Sequence, residues 1–320
     1  MILNKTMETM TQSEKEPLQS QKLGILIQRA YEKVPFYQEH MDTLGLTPND
    51  IKGIQDIHQL PFTTAMDLSN QYPFGLLTMP LSGVARFECS QDCRVTSGFT
   101  AQDLICQQEL IARSLVACYI TTTSILLHLP ELVPSISARS VQQSAEMLGV
   151  TVIDNQTGDS QSQLNRIVDF GITTLFSTPT TLLAFANFLG QQGITKQDLP
   201  LMNLLCEGQY TSAALGNELT EKFQLPVYTL YGHPHIMSLG IAGECYQQRG
   251  LHIHDDHFFP EIINPQTGAV LDDQQPGELV ITTLSRQATP LIRYRTGEMV
   301  LLTRGICTCG RTSPRITFLP

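Results

Sequence analysis

Between residues 84 and 230, short apolar runs alternate with stretches of helical periodicity, and this alternation restricts the fold more than any other feature of the chain. Runs at 84–89, 123–129, 150–154, 173–177, 202–206 and 226–230 are separated by helix patterns at 101–119, 137–148, 161–169, 179–190 and 211–223. Strand–helix–strand repetition predicts parallel pairing with helices on both faces. The runs Val-Thr-Val-Ile-Asp and Thr-Thr-Leu-Phe are β-branched or apolar at nearly every position, as strands covered on both sides require. The fold class is therefore α/β with covered parallel sheets. Past about 238 the helical patterns cease. Short strand candidates follow, separated by turn signals at Pro265–Gly268, Pro276–Gly277 and Thr296–Gly297, so residues 238–320 read as a β-rich part. Upstream, Leu23, Leu26, Ile27, Ala30 and Val34 mark one helical face that Pro35 ends, and residues 21–83 form a helical lead-in punctuated by prolines. Residues 1–20 are polar and read as a tail outside the fold.

Composition excludes several function classes. Twenty basic against thirty acidic residues give a net charge of −10, with no basic stripe to meet nucleic acid or an anionic membrane. No apolar run reaches the roughly 18 residues of a membrane span, and the N-terminus has no signal-like core, which points to the cytoplasm. Eight cysteines in such a chain are read as thiols or metal ligands before disulfides. There is no GxSxG, HExxH, GxxxxGK[ST] or GxGxxG pattern.

Four segments carry chemistry. Arg94–Thr100 places Thr96, Ser97, Gly98 and Thr100 between a strand and a helix, where backbone N–H groups and a helix N-terminus could meet a polyanion; the plain alternative is an N-capped turn. Tyr228–Gly232 ends a strand at the carboxyl edge of the sheet, where Tyr231 could stack on a base and where a simple turn fits equally. Arg293, Arg295 and Glu298 could hold a ribose diol or phosphate, or form internal Arg–Glu pairs across a hairpin. Cys245, His252, Cys307 and Cys309 have the donor composition of a closed structural zinc site, with His254 and His257 as competing ligands. Cys89, Cys93, Cys106, Cys118 and Cys206 have no evident partner, and most are read as buried core thiols.

Taken together these segments resemble the phenylacetate–coenzyme A ligase family of adenylate-forming enzymes. The likeness rests on Val34-Pro-Phe-Tyr37, Leu60-Pro-Phe-Thr-Thr64, Tyr72-Pro-Phe-Gly-Leu76, Gly250–Ile263, Gly277-Glu-Leu-Val280 and Ile292-Arg-Tyr-Arg-Thr-Gly297, and covers about residues 22–317. The resemblance implies an adenylate-forming large domain, ATP or AMP, magnesium, coenzyme A, a small aryl or acyl carboxylate substrate, a homodimer, and a structural zinc at the Cys-X-Cys turn. It also implies a nucleotide site built from Thr96, Ser97, Gly98, Thr100, Gly208, Gln209, Tyr231, Gly232, His235, Arg295 and Glu298. The departures matter as much. Ala101 and Gln102 stand where the family's phosphate loop has glycine and lysine, and Asp103 adds negative charge. His235 stands where a magnesium-organising glutamate is usual, and Glu298 replaces an aspartate. The chain also ends near where relatives begin a small C-terminal lid that carries a catalytic lysine. The expectation is a divergent, lidless relative with an acyl, aryl or adenylate pocket and with ATP-dependent activation weakened or lost. The alternatives are an acid–CoA ligase completed by a partner protein that supplies a lid, and a non-catalytic scaffold or pathway subunit.

Overall fold

The structure is a computed structural model that describes residues 1–90, 94–130, 136–154, 158–208 and 213–319. The chain opens with helices, and here the polar composition of residues 1–20 misleads. They form α1 (Lys5–Thr9) and the first turns of α2 (Gln12–Lys33). Polar residues pack here because their charges are paired in the interior. The Glu8 carboxylate accepts from Arg311 Nε at 2.6 Å, and Lys15 Nζ donates to both oxygens of Asp255 at 2.9 and 3.0 Å. All four side chains are buried. The predicted apolar stripe of α2 is buried in turn, and Val34 and Pro35 break it from α3 (Pro35–Thr43).

After α4 (Ala65–Asn70), β1 (Arg86–Cys89) and β2 (Thr96–Phe99) make a separate antiparallel hairpin, so the run at 84–89, expected as the first strand of the parallel series, stands outside that sheet because it pairs with Thr96–Phe99. The alternation then unfolds as predicted: α5 (Ala101–Ala117), β3 (Ile125–His128), α6 (Ile136–Met147), β4 (Thr151–Ile153), α7 (Ser160–Asp169), β5 (Thr174–Ser177), α8 (Pro179–Gln191), β6 (Asn203–Glu207), α9 (Ala213–Phe223) and β7 (Val227–His233). Strands β4-β3-β5-β6-β7 run parallel.

The β-rich part continues this sheet. β8 (Met237–Gly243), β9 (Leu251–Ile253), β10 (Phe258–Ile263), β11 (Gly277–Thr283), β12 (Tyr294–Thr303) and β13 (Arg315–Phe318) extend it by antiparallel pairing. Among the described residues one sheet of 11 strands results, in the order β10-β11-β12-β13-β9-β8-β7-β6-β5-β3-β4. The join is the β7–β8 hairpin, where a Cβ on Gly232 would lie 1.9 Å from Ser238 O, so only glycine permits the approach. The turn expected at Thr296–Gly297 lies inside β12 instead. Glu278 pairs with Met299 and Val280 with Arg295, so the extra residues form a bulge, with Gly297 at φ +76°. No described helix is long and apolar enough to cross a membrane.

Candidate functional site

Parallel α/β sheets present ligand-binding groups at the carboxyl ends of their strands. Here β6, β7 and the β7–β8 turn meet β2 and β12 at that edge. The segment expected to cradle phosphates is a strand, because Thr96–Phe99 pairs with Arg86–Cys89. Its polar groups already have partners. Ser97 Oγ donates to His235 O at 2.7 Å, Gly98 N donates to Thr289 Oγ1 at 2.9 Å, and Thr96 Oγ1 donates to Pro73 O. A Cβ on Gly98 would come within 3.0 Å of Leu77 and 3.1 Å of Thr289, which is why a small residue stands there. Thr100 is the N-cap of α5 in a reciprocal box with Asp103, Thr100 N donating to Asp103 Oδ2 at 2.9 Å and Asp103 N to Thr100 Oγ1 at 3.0 Å. Asp103 also accepts from Gln287 N and Ala288 N at 2.9 and 3.2 Å. The N-cap alternative is thus what Thr100 adopts, and a carboxylate rather than an open anion seat meets the positive end of α5.

The Tyr231 ring, expected to stack on a base, is fully buried and packs against Phe318 at 5.1 Å between centroids. Its hydroxyl donates to the half-buried Glu298 carboxylate. Burial pushes Glu298 up to about 7 and lifts the Tyr231 phenol well above its usual range. His235 Nδ1 lies 2.6 Å from Tyr294 Oη, so Ser97, His235 and Tyr294 form one buried chain. Desolvation lowers both neighbouring imidazoles, His233 to about 3, leaving them neutral near pH 7. Gly208 N lies 3.4 Å from Leu230 O, at the β6 end of this group. Gln209 lies outside the described residues.

The two arginines take the alternative role, ion pairs between strands. Arg295 donates to both oxygens of Glu278 on β11 and to Pro265 O, and Arg293 bridges Glu261 and the carbonyls of His58 and Leu60. Tyr294, His233 and the backbone-tying role of Asp103 were missed in the sequence. A signal for Tyr294 existed: strand alternation turns it away from Arg295, toward the opposite face of β12.

The Cys/His set does converge. One ligand atom each from Cys245, His252, Cys307 and Cys309 lies within 4.8 Å of the others, which makes a group able to hold a metal ion. Cys245 follows β8, His252 sits in β9, and the two remaining thiols come from the turn between β12 and β13. Gly305 and Gly310 both adopt positive φ in that turn, and Gly310 N donates to Cys307 O at 2.8 Å. His252 Nδ1 lies 3.0 Å from Ser313 Oγ, which leaves Nε2 facing Cys309 Sγ at 3.6 Å. A hydrogen bond with Cys245 holds the Cys309 thiol low and Cys245 high. Of the competing imidazoles, His254 contacts Ser114 Oγ and His257 faces Asp256, and neither joins the group. Cys118 and Cys206 are core thiols as expected, whereas Cys89 is exposed and Cys106 half-buried. Cys93 lies outside the described residues.

No protein-family model matches the sequence. Curated relatives do. The chain is 32% identical over 320 residues to a phenylacetate–coenzyme A ligase of Thermus thermophilus, with 99% of this chain and 72% of that protein covered. Phenylacetate–coenzyme A ligases of Aromatoleum evansii and Escherichia coli K12 are each 31% identical over 315 residues, covering 97% of this chain and 71% and 72% of theirs. Among solved structures, 2-hydroxyisobutyryl-CoA ligase in an open conformation superposes with a TM-score of 0.88 at 20% identity, over 98% of this chain and 71% of that one. MatB of Rhodopseudomonas palustris with ATP bound superposes with a TM-score of 0.55 at 13% identity, over 77% of this chain and 50% of that one. The sheet, the late Arg-Tyr-Arg strand and this depth of identity place the chain in the phenylacetate–coenzyme A ligase family.

Proposed function

We propose that this protein retains a pocket for an aryl or acyl carboxylate or its adenylate, and that its ATP-dependent activation is weakened or lost. One observation carries the reading: the segment at the phosphate-loop position is a paired strand whose Gly98 N–H and neighbouring Asp103 carboxylate are both engaged within the protein. In the reaction that the family's name implies, a carboxylate attacks the α-phosphate of ATP, pyrophosphate leaves, and the coenzyme A thiol then displaces AMP. That chemistry depends on preorganised cations around the phosphates. Gln102 supplies no cation. His235 is a soft, neutral donor whose Nδ1 is taken by Tyr294, so it does not suit a hard magnesium ion. On the adenosine side Arg295, Thr296 and Glu298 are half-buried on β12, with Arg295 paired to Glu278 and Glu298 accepting from Tyr231, and a ribose diol would compete with Tyr231 for that carboxylate.

Phenylacetate, the acid in the relatives' names, is the first substrate to test. ATP–pyrophosphate exchange and calorimetry, with aryl acids, AMP and ATP offered separately and together, divide the proposal. Binding of an acid or AMP without exchange is the expected result. Robust exchange refutes the loss of activation, and failure to bind any of them refutes the pocket.

The Cys/His group fits zinc. Three thiols and one imidazole match a closed tetrahedral site, and Ser313 orients the imidazole from outside. Zinc held by Cys245, His252, Cys307 and Cys309 supplies shape, fastening the β12–β13 turn to β8 and β9. Arg311, donating to Cys309 Sγ at 3.7 Å, carries that fastening on to α1. A homodimer, cytoplasmic location and coenzyme A as second substrate belong to the same family reading, and light scattering checks the first.

A further inference from the structure

Helices α8 and α9 connect neighbouring parallel strands, β5 to β6 and β6 to β7, so they lie on one face of the sheet and end at its amino edge. That edge is remote from the candidate site. The 13 residues of α8 alone span about 20 Å at about 1.5 Å each. Helix α8 stops where Gly193 takes a φ of +70°, and its last carbonyls are spent on the turn, Ile194 N donating to Leu189 O at 3.0 Å. Between this end, the connection to β6 and the end of α9 lies a partly open cavity of about 500 Å³. Small-molecule sites fall in the range of about 300–1,000 Å³.

The floor of the cavity is the core under the two helices. Leu189, Leu199, Phe223 and Leu225 line it and keep 5–8% of their surface exposed there. Its charged groups have one sign. Lys196 and Lys222 line it, and none of the lining residues is acidic, in a chain whose net charge is −10. The nearby carboxylates do not cancel them. Asp198 is used as a cap, accepting from Thr195 N at 2.8 Å and Thr195 Oγ1 at 2.7 Å. Glu218 faces Lys222 at 3.8 Å in an exposed pair, the kind that contributes little and yields readily to another partner. Among the described residues no hydrogen bond or ion pair holds the Lys196 ammonium. An organic cation would meet two like charges here. A nucleotide would set polar surface on an apolar floor.

We propose that this cavity binds an aliphatic monocarboxylate of medium chain length, its chain on the leucine and phenylalanine floor and its carboxylate between Lys196 and Lys222. The site is separate from the carboxylate pocket proposed at the opposite edge of the sheet and does not rest on it.

The chain has no tryptophan, so Asn187→Trp at the rim of the cavity gives a reporter observed alone. The probe is ω-bromooctanoate, whose bromine quenches indole fluorescence on contact. Quenching should saturate, and ω-bromooctanol should bind about five- to tenfold more weakly, the sum of two exposed charge contacts. Adding Lys196→Met/Lys222→Met should bring the acid down to the level of the alcohol. Adding Gly190→Leu should abolish saturation. A Cβ on Gly190 meets nothing within 4 Å, and leucine is the better helix former, so this side chain fills the cavity without disturbing α8. Quenching that never saturates, equal affinity for acid and alcohol, or saturation that survives Gly190→Leu overturns the proposal. Loss of the pocket at the other edge would leave this reporter unmoved. If the reporter variant does not fold, melting curves decide the matter: octanoate should raise the melting temperature of the wild type more than that of Gly190→Leu, and equal shifts overturn the proposal.

Discussion

Replacing Glu8 by alanine tests whether the N-terminal segment belongs to the folded core. The carboxylate accepts from Arg311 Nε at 2.6 Å and from the backbone N–H groups of Leu3 and Asn4 at 2.9 and 2.7 Å. The side chains of Glu8 and Arg311 are 5% and 3% exposed, so solvent does not replace what is removed. Removing one member of a buried ion pair strands the other charge and costs about 3–5 kcal/mol. Arg311 keeps Met1 O as one partner, which places the expected loss near the lower end, about 3 kcal/mol. Removing both charges in Glu8→Ala/Arg311→Met should cost less than Glu8→Ala alone, because no charge is left uncompensated. Urea denaturation followed by far-ultraviolet circular dichroism measures both variants, with the exposed Lys5→Ala as a control. A Glu8→Ala protein within about 0.5 kcal/mol of wild type would refute the packing argument and return residues 1–20 to the status of a tail.

Three further outcomes are expected. Cys309→Ser should abolish bound zinc measured by plasma mass spectrometry, while His257→Gln, outside the four-donor group, should retain it. Glu298 titrates at about 7 in the folded chain against 4.5 for an ordinary glutamate, so its contribution to stability is full below pH 4.5 and is lost as pH rises through about 7. At about 1.4 kcal/mol per pH unit this is worth roughly 3 kcal/mol, and Glu298→Gln should flatten the fall in melting temperature between pH 4.5 and 7. His233, lowered to about 3 by burial, acts in the opposite sense, its stabilisation present above pH 6.5 and lost on acidification, and His233→Phe should shift the acid transition downward.

The sheet was legible because its evidence is local. Strands such as Thr174–Ser177, buried at every position, and helices with one apolar stripe report burial directly through periodicity. The metal group was half legible. Cys307 and Cys309 share a turn, but their meeting with Cys245 and His252 depends on β13 lying between β12 and β9, which no spacing encodes. Residues 1–20 were illegible as helix for a specific reason. Their buried residues include Glu8, Lys15 and Gln19, whose partners Arg311 and Asp255 lie at least 236 residues away, so composition reports solvent where long-range pairing supplies the interior. Strand β2 was hidden by chemistry that suits a turn equally well. Ser97 and Gly98 read as loop residues until His235 O and Thr289 Oγ1 are seen to engage them.

The same pairing explains why the departures at the nucleotide edge occur together. Asp103, which looks like an unfavourable charge beside a phosphate, caps α5 and ties Gln287 and Ala288 to that helix. A lysine at 102 would stand beside this carboxylate and a glycine at 101 would loosen the first turn, so reverting either alone weakens the cap without freeing Gly98 from Thr289. On the other side, a glutamate at 235 would put a carboxylate where Nδ1 now contacts Tyr294 Oη, close to the buried His233 and 2.7 Å below Ser97 through its own backbone oxygen. The single reversion His235→Glu should therefore give no ATP–pyrophosphate exchange. Ala101→Gly/Gln102→Lys/His235→Glu is the smallest set that alters both edges of the site. If His235→Glu alone produced exchange at the level of that triple variant, the two edges would be independent, and the proposal that an engaged strand β2 blocks activation would fail.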